Sequence, residues 1–277
     1  MLSKLERMDP RIVYLLLAVG VSLPLIWPIG LPLDISPETQ QVFDRIERLA
    51  EGAKVMLSYD YSAGGLPELD AGVRAMLSHL SKKNAKVVAV ASTTEGPMYA
   101  SETLEVYESL GKKYGEDYVN LGYFAGGEGG LSALCRDIKQ VFKKDFHGTD
   151  VDSLELMSAV GNVNDFDLVV SFNIGPTDGA TTPAWVRIVH NEYGVSLILY
   201  VVTVMAPANM PYLQARQLDG LLSGLKSGAE YEQLLQEPGS AVAAMDAQSI
   251  SHLIIVGLVI LGNIALFATR REGVVGE

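Results

Sequence analysis

Apolar and polar positions along this chain are patterned on two length scales. On the shorter scale, five runs at 54–59, 86–91, 118–123, 167–172 and 195–202 are largely apolar and lead into polar or glycine-rich turns. The second, fourth and fifth are nearly uninterrupted, as parallel strands covered on both faces are. Stretches of helical period fall between and after them, at 67–81, 100–114, 130–142, 152–160 and 183–193. This alternation predicts an α/β domain built on a doubly wound, mainly parallel, five-stranded Rossmann-like sheet with right-handed crossovers. Two further helical segments, 211–225 and 229–236, follow the last strand. Ser36, Pro37 and Glu38 read as an N-cap, a first-turn proline and a first-turn acid, with Val42, Phe43, Ile46 and Leu49 on one face of a short helix ahead of the domain.

On the longer scale, residues 12–33 contain no charged side chain, and residues 247–269 form a second such run between Asp246 and Arg270-Arg271. At ~1.5 Å per residue either is long enough to cover the ~30 Å core of a bilayer. The first run also fits a cleaved signal peptide, because Lys4, Arg7 and Arg11 precede it. Its length and its ending in Trp27-Pro28-Ile29-Gly30-Leu31-Pro32, without a small-residue cleavage site, favour an uncleaved anchor. The expected division is a tail over 1–11, a span over 12–33, an α/β domain over 34–249, a span over 250–269 and a tail over 270–277.

Basic residues flank the outer ends of both runs, whereas only Arg45 and Arg48 lie close to the first run on its other side. The positive-inside rule then puts both termini in the cytoplasm and the domain outside, on a two-pass cell-membrane protein. The terminal tails hold +1 and 0 of the formal −12, which leaves −13 between them and argues against nucleic acid as a partner. A single cysteine, Cys135, excludes an internal disulfide, which suits an extracytoplasmic domain in a prokaryote.

Ligands of open α/β sheets bind beyond the carboxyl ends of the strands. The residues expected there are Asp60, Tyr61 and Ser62 after the first strand, Thr93 after the second, Gly127, Glu128 and Gly129 after the third, and Asn173, Thr177 and Asp178 after the fourth. The Gly126-Gly127-Glu128-Gly129-Gly130 turn could aim amides at an anion, but it matches neither phosphate-binding signature, and Glu128 would repel a phosphate. A tight turn with close strand-helix packing is the favoured reading. Asp60-Tyr61-Ser62-Ala63-Gly64 partly resembles the D-x-S-x-S loop of metal-dependent adhesion domains, which would imply Mg²⁺ or Ca²⁺. Gly64 stands where a serine should ligate, so no metal and no cofactor is expected. No catalytic residue emerges either. There is no G-x-S-x-G elbow, Cys135 falls within a helix, and His79, His147, His190 and His252 all avoid strand ends.

These features describe a membrane-anchored binding or scaffold subunit of a prokaryotic envelope complex, with the lipid bilayer and either further copies of the chain or other membrane subunits as partners. The alternative is an extracytoplasmic hydrolase that uses carboxylates or a metal at the same rim. Asn263, inside the second run, is expected to hydrogen-bond to the first span or to another subunit. The leucines of 211–236, more than one sheet face would cover, point to self-association.

Overall fold

The computed structural model describes residues 9–175 and 179–274. The chain divides into two compact units, Leu33–Glu237 and the terminal segments Met1–Pro32 with Pro238–Glu277. In the first unit, α2 (Pro37–Glu47) leads into β1 (Lys54–Asp60), α3 (Leu66–Lys82), β2 (Lys86–Ala91), α4 (Gly96–Ser109) and β3 (Tyr118–Tyr123). There follow α5 (Gly127–Arg136), α6 (Ile138–Val141), β4 (Leu168–Asn173), α7 (Thr182–Trp185) running on into a π-turn at Val186–Glu192, and β5 (Leu197–Val201). The unit closes with α8 (Ala206–Gln214), β6 (Gly220–Ser223) and α9 (Gly224–Leu234).

The sheet has six strands, all parallel, in the order β3-β2-β1-β4-β5-β6. This order reverses direction between β1 and β4, as a doubly wound sheet does. Alternate residues of each strand feed two apolar layers. Val55, Leu57, Tyr59, Val87, Val170 and Tyr200 pack with α2, α3, α4 and Tyr231 of α9. Met56, Val88, Val119, Val169 and Leu199 pack with α5, α6, Trp185 and the π-turn on the other side. Covering both faces explains why β1, β2, β4 and β5 lack the polar alternation of a half-exposed strand.

The expected five strands are thus six. β6 lies in the stretch read as the helix 211–225, because four residues with two central leucines carry no β-branched signal and sit between helical segments. Its Leu221 and Leu222 are buried in opposite layers, which accounts for part of the leucine excess. The predicted helix 130–142 breaks at Asp137, whose extended backbone and side chain cap the short α6 by accepting from the Gln140 amide. The predicted helix 152–160 is instead two 3₁₀ turns at Val151–Ser153 and Leu156–Ala159.

In the second unit, α1 (Pro10–Ile26) packs along α10 (Ser240–Val274), closely enough that a side chain on Gly20 would meet Ile254. Asp246 lies inside α10 rather than at its edge. Its carboxylate accepts the backbone N–H groups of Ile29, Gly30 and Leu31 at 2.7, 2.8 and 2.9 Å, fixing the chain that leaves α1 against α10. Within α10, Ser240–Ile264 is long and apolar enough to cross a membrane, whereas α1 is a shorter apolar helix of 17 residues. Two spans over 12–33 and 250–269 therefore reduce, among the described residues, to one helix that meets the length criterion. The first helix continues past Pro24 and ends at Ile26, where Pro28 disfavours the helical conformation for the preceding Trp27, which is extended.

Candidate functional site

Strand register assembles the polar end of the sheet. Ser58 pairs with Ser171 and Asp60 with Asn173 across β1 and β4, so all four side chains emerge on the face covered by Trp185. Ser92, just past the end of β2, completes the group. Asp60 is fully buried, and its Oδ1 accepts the Ser58 hydroxyl at 2.7 Å, the Ser92 hydroxyl at 2.6 Å and the Ser92 amide at 3.0 Å. Its Oδ2 accepts the Ser171 hydroxyl at 2.7 Å and the Trp185 indole N–H at 3.0 Å. Burial pushes the carboxyl above its ordinary range, and the three serines pull it back without cancelling the rise. With five donors on two oxygens, Asp60 ties β1, β2, β4 and α7 together and leaves no lone pair for a ligand.

The other expected rim residues differ in how far the fold engages them. Thr93 donates to the carbonyls of Tyr59 and Tyr61 at 3.2 Å. Buried Asn173 accepts the Gly175 amide at 2.6 Å and donates to the Ala180 carbonyl at 3.2 Å. Tyr61 is buried, with its ring stacked on Tyr99 at 5.2 Å and its hydroxyl without a partner among the described residues. Ser62 stands half-exposed ahead of the 3₁₀ turn Ala63–Gly65, with no capping bond from its side chain. Gly126 and Gly127 have φ of 98° and 52°, and a side chain on Gly130 would overlap the Ala125 carbonyl. The glycine run is thus a tight turn with close backbone approach. Glu128 lies on the surface, paired with Arg187. Thr177 and Asp178 lie outside the described residues.

In open α/β sheets the crevice forms where strand order reverses, here between the loops after β1 and β4. Among the described residues, two side chains pack closely at that place. Ile174 packs against Gly65 and Met205 against Gly175, at separations that would exclude a Cβ on either glycine. Thr203 donates its amide at 2.8 Å, and its hydroxyl, to Glu68. The Ala63 amide, which could face an anion, donates to Glu95 at 2.8 Å, and Tyr99 donates to the same oxygen at 3.0 Å.

Among the described residues, two clefts lie away from this region. One, of about 580 Å³, lies along the β3 edge between α4 and His147. Its polar groups are mostly committed: Tyr114 donates to Asp145 at 2.7 Å, Asn120 donates to the Pro97 carbonyl and the Ser101 hydroxyl at 2.9 Å, and Lys113 pairs with Glu116. The other, of about 190 Å³, lies at the opposite edge beyond β6, among the starts of α2, α8 and α9, and is lined by hydroxyls and charges.

Two linkages escaped sequence reasoning. His79 of α3 bonds Glu47 of α2 through Nε2 and Tyr231 of α9 through Nδ1, each at 2.8 Å. A neutral ring protonated on Nε2 satisfies both partners, and burial holds its pKa below the ordinary value despite Glu47. Glu230 of α9 accepts the hydroxyls of Ser36 and Thr39 at 2.6 and 2.5 Å and pairs with Lys226 at 2.9 Å. Both linkages join residues too far apart in sequence for any local pattern to show. Cys135 is buried, and burial pushes its thiol up to about 12, so it is inert as a nucleophile. Among the described residues no three His, Cys, Asp or Glu side chains gather as metal ligands would. Comparison with family models, with curated proteins and with solved structures finds no match to this chain.

Proposed function

We propose that the chain is a membrane-tethered binding or scaffold subunit of a prokaryotic envelope complex. The observation that supports this reading is the state of Asp60: the carboxylate at the head of the sheet serves as an internal strut, and among the described residues Ile174 and Met205 pack beside it against Gly65 and Gly175. General acid or base work needs a carboxylate that can reach a substrate proton, and this one cannot. An acidic domain held near a bilayer engages its neighbours at high effective concentration, which suits assembly.

In this reading α10 crosses the membrane and α1 enters beside it as a shorter second span, at the lower end of workable lengths. The basic residues Lys4, Arg7, Arg11, Arg270 and Arg271 keep both termini cytoplasmic and the domain outside. The Asp246 clamp supports a hairpin of the two helices. Asn263 donates to the Val259 carbonyl of its own helix at 2.9 Å, so its remaining acceptor is the group that can meet a helix of another copy or subunit.

The test replaces exposed rim residues that are not part of the strut, as Ser62→Ala with Glu128→Gln, and follows both in-cell function against a deletion strain and the mass of the complex in mild detergent. The scaffold reading expects function and complex to persist together. Loss of function with an intact, equally stable complex would favour the hydrolase instead.

A further inference from the structure

We propose that the cleft along the β3 edge binds a linear aliphatic polyamine. The site stands apart from the central rim, and the inference does not depend on the scaffold reading. One wall is a single face of α4, on which Ser101, Leu104, Glu105 and Glu108 follow at helical spacing. The other is made by Tyr118 and Asn120 of β3, with Tyr114 and His147 from the segments on either side of that strand. A volume of about 580 Å³ is that of about nineteen water molecules, room for a chain rather than for a bare ion.

Which polar groups the fold has already used decides the chemistry. The donors of the cleft are engaged: Lys112 with Asn84, Lys113 with Glu116, the Asn120 amide with Pro97 and Ser101, and the Tyr114 hydroxyl with Asp145. Its strongest acceptors are not. The exposed carboxylates of Glu105 and Glu108 make no hydrogen bond or ion pair among the described residues. Arg74 stands within electrostatic reach of Glu105, but it is paired with Asp70 at 2.8 Å.

Tyr118 distinguishes this cleft from a gap between surface acids. It is only 6% exposed, it lines the cleft, and its hydroxyl has no hydrogen-bond partner among the described residues. Burial, and after it the Glu108 carboxylate, raise its pKa, so the hydroxyl keeps its proton and lies within the field of Glu108. A ligand ammonium placed between the two donates to both. Tyr118 and His147 stand against the Tyr114 ring at 90° and 78°, with centroids 5.4 and 5.0 Å away. These rings and Leu104 offer methylenes an apolar wall and a cation an aromatic surface. Glu105, one helical turn from Glu108, meets a second ammonium of the same chain. Two unpaired acids disfavour an anion, and a neutral sugar would leave both without a counter-charge. Among the described residues no third side chain joins them as a metal site requires.

The test titrates the full chain in maltoside detergent with spermidine by calorimetry at low salt, with Mg²⁺ as the competing inorganic cation. Spermidine should bind saturably at or below roughly millimolar concentration, and equimolar Mg²⁺ should not displace it. Glu105→Gln with Glu108→Gln should weaken binding at least about tenfold, and Tyr118→Phe, which keeps the ring, at least about threefold. Glu38→Gln with Asp44→Asn removes the same charge from α2, away from the cleft, and should leave binding unchanged. Absence of saturable binding, displacement by equimolar Mg²⁺, or equal loss in the two charge-matched double variants would reduce the effect to the counterions of an acidic surface and overturn the inference. Binding that Tyr118→Phe leaves intact would overturn it as well, because the buried hydroxyl would then play no part.

Discussion

Asp60 and Glu230 are both buried carboxylates near the carboxyl ends of strands, and they have opposite relations to their surroundings. Asp60 is surrounded by neutral donors belonging to four elements, and its pKa rises because nothing cationic offsets burial. Glu230 has a lysine at one oxygen and two hydroxyls at the other, and its pKa falls. The first closes the crevice at the centre of the sheet. The second lines an open cleft at its edge. Burial alone therefore does not set the direction in which a carboxyl shifts; the charge of its partners does.

The largest effect should come from removing the strut. Asp60→Ala strands the Trp185 indole and the Ser92 amide in the interior and should cost about 3 to 5 kcal/mol in urea unfolding of the chain in mild detergent. A loss below about 1 kcal/mol would mean that the five bonds do not hold the strands together. Glu230→Gln keeps the shape but loses a charge that anchors α2, for about 1 to 3 kcal/mol by the same measurement.

The pH dependence sharpens the contrast, because the two groups act in opposite directions. Native Asp60 keeps its proton to a higher pH than the unfolded chain does, so its contribution to stability is lost as pH rises from the ordinary aspartate value to the raised one. Glu230 stabilises the fold above its unfolded value, and that contribution is lost as pH falls through its depressed native value. Stability of the unmodified chain minus that of Asp60→Asn should therefore fall with pH just above the ordinary aspartate range. The same difference taken against Glu230→Gln should rise with pH below the ordinary glutamate range. Slopes of equal sign would remove the distinction.

The smallest effects belong to polar groups that hold nothing in place. Ser223→Ala should change stability by no more than about 0.5 kcal/mol, although a capping serine would cost more, because its hydroxyl caps nothing. Glu128→Gln should be as mild, since its pairing with Arg187 is exposed. A loss above about 1 kcal/mol at Ser223 would give that hydroxyl a structural role.

The sheet was legible where strands were long and covered on both faces: β2 and β3 begin and end where the apolar runs do, and β1 differs only by including Asp60. It was illegible at β6, four residues within helical patterning, and at Asp137, where a side chain caps a new helix inside an apparently continuous one. The head of the sheet could be located because Asp60 follows an apolar run. Its role could not, because Ser92, Ser171 and Trp185 lie 32, 111 and 125 residues away. Glu230 was hidden for a related reason. Four residues after Lys226 it has the spacing of an ordinary surface ion pair, and only packing against Ser36 and Thr39 buries it.

Hydrogen exchange of the full chain in nanodiscs, compared between the unmodified protein and Asp60→Asn, tests the strut directly. The account predicts that the substitution speeds exchange at the Ser92 amide and along β1, β2 and β4, and leaves residues 36–40 and 223–228 unchanged. Exchange at Ser92 and in those strands that Asp60→Asn does not alter would contradict it.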